Sequence, residues 1–101
     1  MFKRIFRKKY NIDLKNKKDE ACFTCSHIIE DNQEILYVSH DDDNSWQFLC
    51  GRNNHTEQNA RIVSIGEIIK IDPTINELSD MQIGISAERE RKGAKWNFLE
   101  N

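Results

Sequence analysis

Cys22 and Cys25 form a C-x-x-C pair, Cys50 follows in mid-chain, and His55 lies five residues beyond it. All three cysteines of the chain are in that set. Thiolate sulfur and imidazole nitrogen are the donors that hold zinc in a tetrahedral shell, and two cysteines separated by two residues make one half of such a shell. Cys22, Cys25, Cys50 and His55 are therefore the expected metal ligands, with zinc as the ion. Gly51 directly after Cys50 permits the tight turn that would swing His55 back. His27 and His40 are alternative fourth ligands. Two other readings stand beside this one. The cysteines can be small buried apolar groups with His55 in a loop. The C-x-x-C pair can be a redox couple, which normally needs a βαβ context that the pattern does not show.

No other constellation carries chemistry of its own. Asp41, Asp42, Asp43 and Asn44 are adjacent, whereas a calcium loop needs spaced acids, a glycine and a distal glutamate, so this run reads as a hairpin turn. Ser39 and His40 are neighbours on an expected strand and point to opposite faces. There is no G-x-S-x-G, no glycine-rich phosphate loop and no H-E-x-x-H. Cys50 and His55 lack a patterned orienting acid or oxyanion hole. The expectation is a protein that is not an enzyme, and no small-molecule substrate is indicated.

The elements that must position these residues follow from periodicity. The segment around Ile28 and Ile29 leads into a polar turn at 30–33. Residues 34–40 (EILYVSH) are rich in strand formers, and 45–50 (SWQFLC) alternate with Trp46, Phe48 and Cys50 on one face. Three such segments between short polar turns suggest an antiparallel meander. Ser64-Ile65-Gly66-Glu67 has the form of a capping box, followed by the apolar stripe Ile65, Ile68 and Ile69. Asp72-Pro73 repeats the start signal, with Ile75 and Leu78 as the apolar face. Ile83 and Ile85 open a strand to about residue 89. Residues 88–93 read as a charged hairpin turn, and 95–99 (KWNFL) as a last strand. The expected fold is α+β, an antiparallel sheet of about five strands with two short helices on one face. Trp46, Phe48, Trp96 and Phe98 are the expected core of that sheet, joined by Ile35 or Leu36, Ile68, Ile69, Ile75 and Leu78.

Charge divides the chain. Residues 1–20 hold eight Lys/Arg and three acids, net +5, and the rest holds seven basic and fourteen acidic residues, net −7. A basic arm (1–20) preceding a single domain (21–101) is the expected organisation. Phe2, Ile5 and Phe6 lie on one face of a helical turn, and Lys3, Arg4, Arg7 and Lys8 surround them. Such an arm suits nucleic acid or an anionic membrane, or is a solvated terminus. MFKRIFRKKY lacks the apolar run of a secretory signal, no stretch matches a membrane span, and three unpaired cysteines suit a reducing compartment, so the cytoplasm is the expected location.

The stretch HIIEDNQEILYVSHDDDNSWQFLCG, with His55-Thr56-Glu57, Asp72-Pro73 and Ile83-Gly84 after it, resembles a family of small bacterial proteins of unknown function. Its most specific part is the W-x-F-L-C-G block, Trp46 to Gly51. The order of elements is also similar to immunity-type domains that accompany polymorphic toxins. The resemblance spans about residues 21–98. It implies a small α+β binding domain without catalytic residues, of immunity or adaptor type, and the acidic body suits a protein partner with a basic surface. The alternative is a zinc-stapled regulatory domain whose arm contacts nucleic acid or membrane.

Overall fold

A computed structural model describes residues 17–51 and 56–100. Residues 1–16 of the basic arm, including the Phe2–Ile5–Phe6 turn, and His55 lie outside the described residues.

Cys22-Phe23-Thr24-Cys25 is not a knuckle but part of strand β1 (Ala21–Cys25). Helix α1 (Ser26–Asp31) follows at once, so Ile28 and Ile29 are helical rather than extended. Asn32 ends that helix in a left-handed conformation, φ 57°, which asparagine tolerates better than most residues. Strands β2 (Tyr37–His40) and β3 (Trp46–Leu49) form a hairpin across the acidic turn. A 3-10 turn (Glu57–Asn59) leads into β4 (Ala60–Ser64), helix α2 (Ile65–Ile71) and a 3-10 helix (Pro73–Leu78). Strands β5 (Ile85–Glu88) and β6 (Asn97–Glu100) close the chain.

Ser64 and Asp72 cap their helices as expected, Ser64 through its own half of the capping box. The Ser64 hydroxyl accepts from the Glu67 amide at 3.1 Å, and Asp72 accepts from the Thr74 amide at 3.0 Å with Pro73 at the first position of the 3-10 helix. The end of the basic arm also contributes. The Gly66 amide donates to the Lys18 carbonyl at 3.0 Å, and a Cβ at position 66 would meet that oxygen at 3.3 Å. Glycine lets the backbone approach this closely.

The fold is α+β, with a six-stranded mixed sheet in the order β4-β1-β3-β2-β5-β6. It has one more strand than expected, and β1 pairs with β3 in parallel. That pairing replaces the expected meander: α1 turns the chain after β1, so the β2–β3 hairpin returns beside β1 running the same way. Cys22, Phe48, Val38 and Ala87 of the sheet share one buried cluster with Ile28, Ile65, Ile68, Ile75 and Leu78 of the helical segments. Trp46 is buried there too, stacked on His40 at 4.1 Å and on Phe48 at 5.9 Å between ring centroids. Trp96 is buried as expected, but Phe98 is 59% exposed. Its neighbour across the sheet is Ala87 alone, because β6 is the edge strand. Ile83 is also exposed and precedes β5 rather than belonging to it.

Arg89, expected in a charged hairpin turn, is buried. Its guanidinium meets Asp72 at 2.6 Å, donates to the Thr74 hydroxyl at 3.0 Å and to the Ile35 carbonyl at 3.1 Å, and lies over the Trp96 ring at 4.1 Å. Burial alone would raise the Asp72 carboxyl. The Thr74 hydroxyl and amide and the Arg89 guanidinium outweigh burial and hold it below its ordinary value of 3.8.

Removing the guanidinium leaves a buried carboxylate without its counter-ion. Arg89→Ala should therefore cost about 3–5 kcal/mol in chemical denaturation, well above an exposed substitution such as Glu90→Ala. Trp46→Ala should cost a similar ~3–5 kcal/mol by the loss of a core ring. Because the folded Asp72 pKa is depressed, the stability it contributes is complete above the unfolded value near 3.8 and is lost as pH falls through the lower folded value. Denaturation curves followed into the acid range should show a shallower loss of stability in Asp72→Asn than in the parent chain.

Candidate functional site

Strand parity separates Cys22 from Cys25. Residues three apart on a strand face opposite ways. Cys22 turns into the core, where desolvation pushes its thiol up to about 12. Cys25 lies on the other face at the end of β1, is likewise buried, and serves as the backbone N-cap of α1 without using its side chain as a cap.

Parallel pairing sets Thr24 opposite Phe48, so β1 and β3 end at the same end of the sheet. Cys50, just past the end of β3, is thereby brought to Cys25. Gly51 then turns the chain away with φ +79°. His27, in the first turn of α1, folds back to the same point, and its Nδ1 is 3.6 Å from the Cys50 sulfur. The ligand atoms of Cys25, His27 and Cys50 all lie within 4.8 Å of one another, close enough to hold a metal ion. Of the four expected ligands, the structure brings Cys25 and Cys50 together, leaves Cys22 outside their group, and does not describe His55. His27 occupies a place beside the two sulfurs. His40 is committed elsewhere, with its ring nitrogens 2.8 Å from the Met81 carbonyl and 2.7 Å from the Asn44 side-chain oxygen.

The sheet face that carries Phe23 has a different character. Register places Ile62, Phe23, Gln47, Ser39, Ser86 and Leu99 in one row across all six strands. Ile62 is 66% exposed, and Phe23 and Leu99 are each 42% exposed. Along β1 and β3 this face forms a cavity of about 410 Å³. Phe23, Cys25, Gln47 and Leu49 belong to its floor. Thr56, Asn59 and Ala60 line it near Cys25, and the Asn59 amide is tied to the Ser26 hydroxyl at 3.1 Å. Asp41, Asp43 and Ser45 line it at the hairpin turn.

That turn is firmly built. The Asp41 carboxylate accepts from the Ser39 hydroxyl and, at 2.7 Å, from the Gln47 side-chain amide. The Ser45 hydroxyl and amide bond to Asp43 and hold its carboxyl below the ordinary range. Asn44 takes φ +72°, which completes the reversal. The sequence marked this run as a turn. It did not reveal that the turn stands beside an apolar cleft, because no local pattern reports which side chains of β1 line it.

A protein-family model described as Immunity protein Imm33 domain matches residues 22–99. The chain belongs to that family. The match spans every strand and helix of the fold from β1 into β6, and the expectation of an immunity-type domain holds. No curated protein and no solved structure matches the chain.

Burial should protect the Cys22 thiol. In the folded protein at mildly alkaline pH, Cys22 should stay unmodified by an alkylating reagent and should react only after denaturation, as read by peptide mass spectrometry. Rapid native alkylation of Cys22 would contradict its place in the core.

Proposed function

We propose that this chain is the immunity partner of a protein toxin and neutralises it by direct binding, without catalysis, at the cleft between Phe23 and the acidic turn. The single observation that carries the reading is the family match over residues 22–99. The cleft supports its finer part. It offers apolar surface in Phe23 and Leu49 beside two carboxylates, Asp41 and Asp43. A lysine or arginine has the matching shape, an apolar stem with a cationic head. The partner surface is therefore basic, in keeping with a body of net charge −7 from residue 21 onward. Charges placed at such a rim accelerate encounter and suppress wrong partners.

Co-expression tests the reading. A toxin gene found beside the gene for this chain should arrest growth of a bacterial host when expressed, and co-expression of this chain should restore growth. Phe23→Glu and Asp43→Lys should each weaken toxin binding by roughly tenfold or more, with little change in melting temperature. Glu90→Lys, away from the cleft, should bind like the parent. Full protection by the cleft variants would move the interface elsewhere; no protection by the parent chain would remove the toxin reading itself.

A further inference from the structure

We infer that Cys25, His27 and Cys50 form a binding site for a thiophilic divalent ion, zinc foremost. The inference is independent of toxin binding. Three donors from two chain segments converge: two sulfurs and a ring nitrogen, all within 4.8 Å of one another. Around one tetrahedral zinc, with Zn–S near ~2.3 Å and Zn–N near ~2.0–2.1 Å, a sulfur and a nitrogen stand roughly 3.5 Å apart. Cys50 Sγ and His27 Nδ1 stand 3.6 Å apart. The other donor pairs lie within 4.8 Å, against roughly 3.8 Å for two sulfurs on one tetrahedral zinc. The donor set also selects the ion. Two thiolates with an imidazole favour zinc over magnesium or calcium, which take oxygen ligands.

Binding involves no redox step. The ion accepts electron pairs from two thiolates and one neutral imidazole, and the two thiol protons pass to solvent. Three protein donors leave one position of a tetrahedral shell for water. The bound ion would join the end of β1, the first turn of α1 and the exit of β3. Those are the segments whose relative placement depends on the one parallel pairing of the sheet. The site differs from the one that spacing suggests, since Cys22 takes no part in it.

The test uses the untagged full chain, purified under reducing conditions without chelator. Elemental analysis should find about one zinc per chain. After removal of the metal, titration with cobalt(II) should give a thiolate-to-cobalt charge-transfer band and tetrahedral d–d absorption. Zinc should raise the melting temperature and a chelator should lower it. Cys25→Ser, Cys50→Ser and His27→Gln should each weaken cobalt binding by roughly tenfold or more. Cys22→Ala should keep the parent's cobalt spectrum. The parent spectrum does not depend on any variant folding. A parent chain free of metal and without a cobalt band overturns the inference. So does a Cys25–Cys50 disulfide in the protein as isolated, or loss of the cobalt band in Cys22→Ala.

Discussion

Arg89 and Asp72 form an ion pair inside the domain, and the layout of the fold is organised around it. A buried guanidinium and carboxylate each lose several kcal/mol of hydration, which their attraction offsets only when the remaining donors and acceptors also find partners. Here they do. Asp72 uses one oxygen for Arg89 and the other for the Thr74 amide and hydroxyl. Arg89 also reaches the Thr74 hydroxyl and the Ile35 carbonyl, and stacks on Trp96. The pair therefore joins the start of the 3-10 helix, the segment entering β2, the end of β5 and the approach to β6. An apolar pair of similar volume could fill the space, but could not fix four backbone directions at once. A planar fork of donors does so, which lysine could not reproduce.

That network also explains where the sequence was silent. Ser64, Asp72-Pro73 and the alternation of Trp46 with Phe48 were legible because each signal is complete within a few residues: a side chain capping its own helix, or a strand with one buried face. Arg89 was not legible. It stands among Glu88, Glu90, Arg91 and Lys92, and only a partner seventeen residues away makes its burial affordable. Phe98 failed in the opposite sense. Period-two alternation identified its face, but exposure depends on what covers that face, and an edge strand has a neighbour on one side only.

The group Cys25, His27 and Cys50 illustrates the same division between local and distant information. C-x-x-C reads as a chelating half-site when the backbone turns between the two cysteines. Phe23 and Thr24 are strand formers, and on a strand the spacing separates the thiols to opposite faces. The sequence offers cysteines and histidines as donors, and the topology decides which of them meet. The parallel β1–β3 pair carries Cys25 and Cys50 to one end of the sheet, whereas an antiparallel pairing would have carried them to opposite ends. His27 joins them because α1 begins at the residue after Cys25, a helix start that has no side-chain cap to announce it.

The two faces of the sheet thus do different work. One is filled by the helices and fixed by the Asp72–Arg89 network. The other presents a cleft whose charged rim belongs to a turn with little freedom left. Asp41 is held by Ser39 and Gln47, Asp43 by Ser45, and Asn44 by His40, which in turn stacks on Trp46. The last contact is the important one. It connects an exposed acidic turn to a core ring through a single buried imidazole, so the carboxylates stand on the rigid part of the domain. Carboxylates held in place before a partner arrives lose little conformational freedom on binding, and more of the attraction appears as affinity. A flexible acidic loop of the same composition would attract a basic surface equally well at long range and hold it less tightly. The hydrogen bonds around Asp41 to Ser45, rather than the number of acids, are what fix this turn.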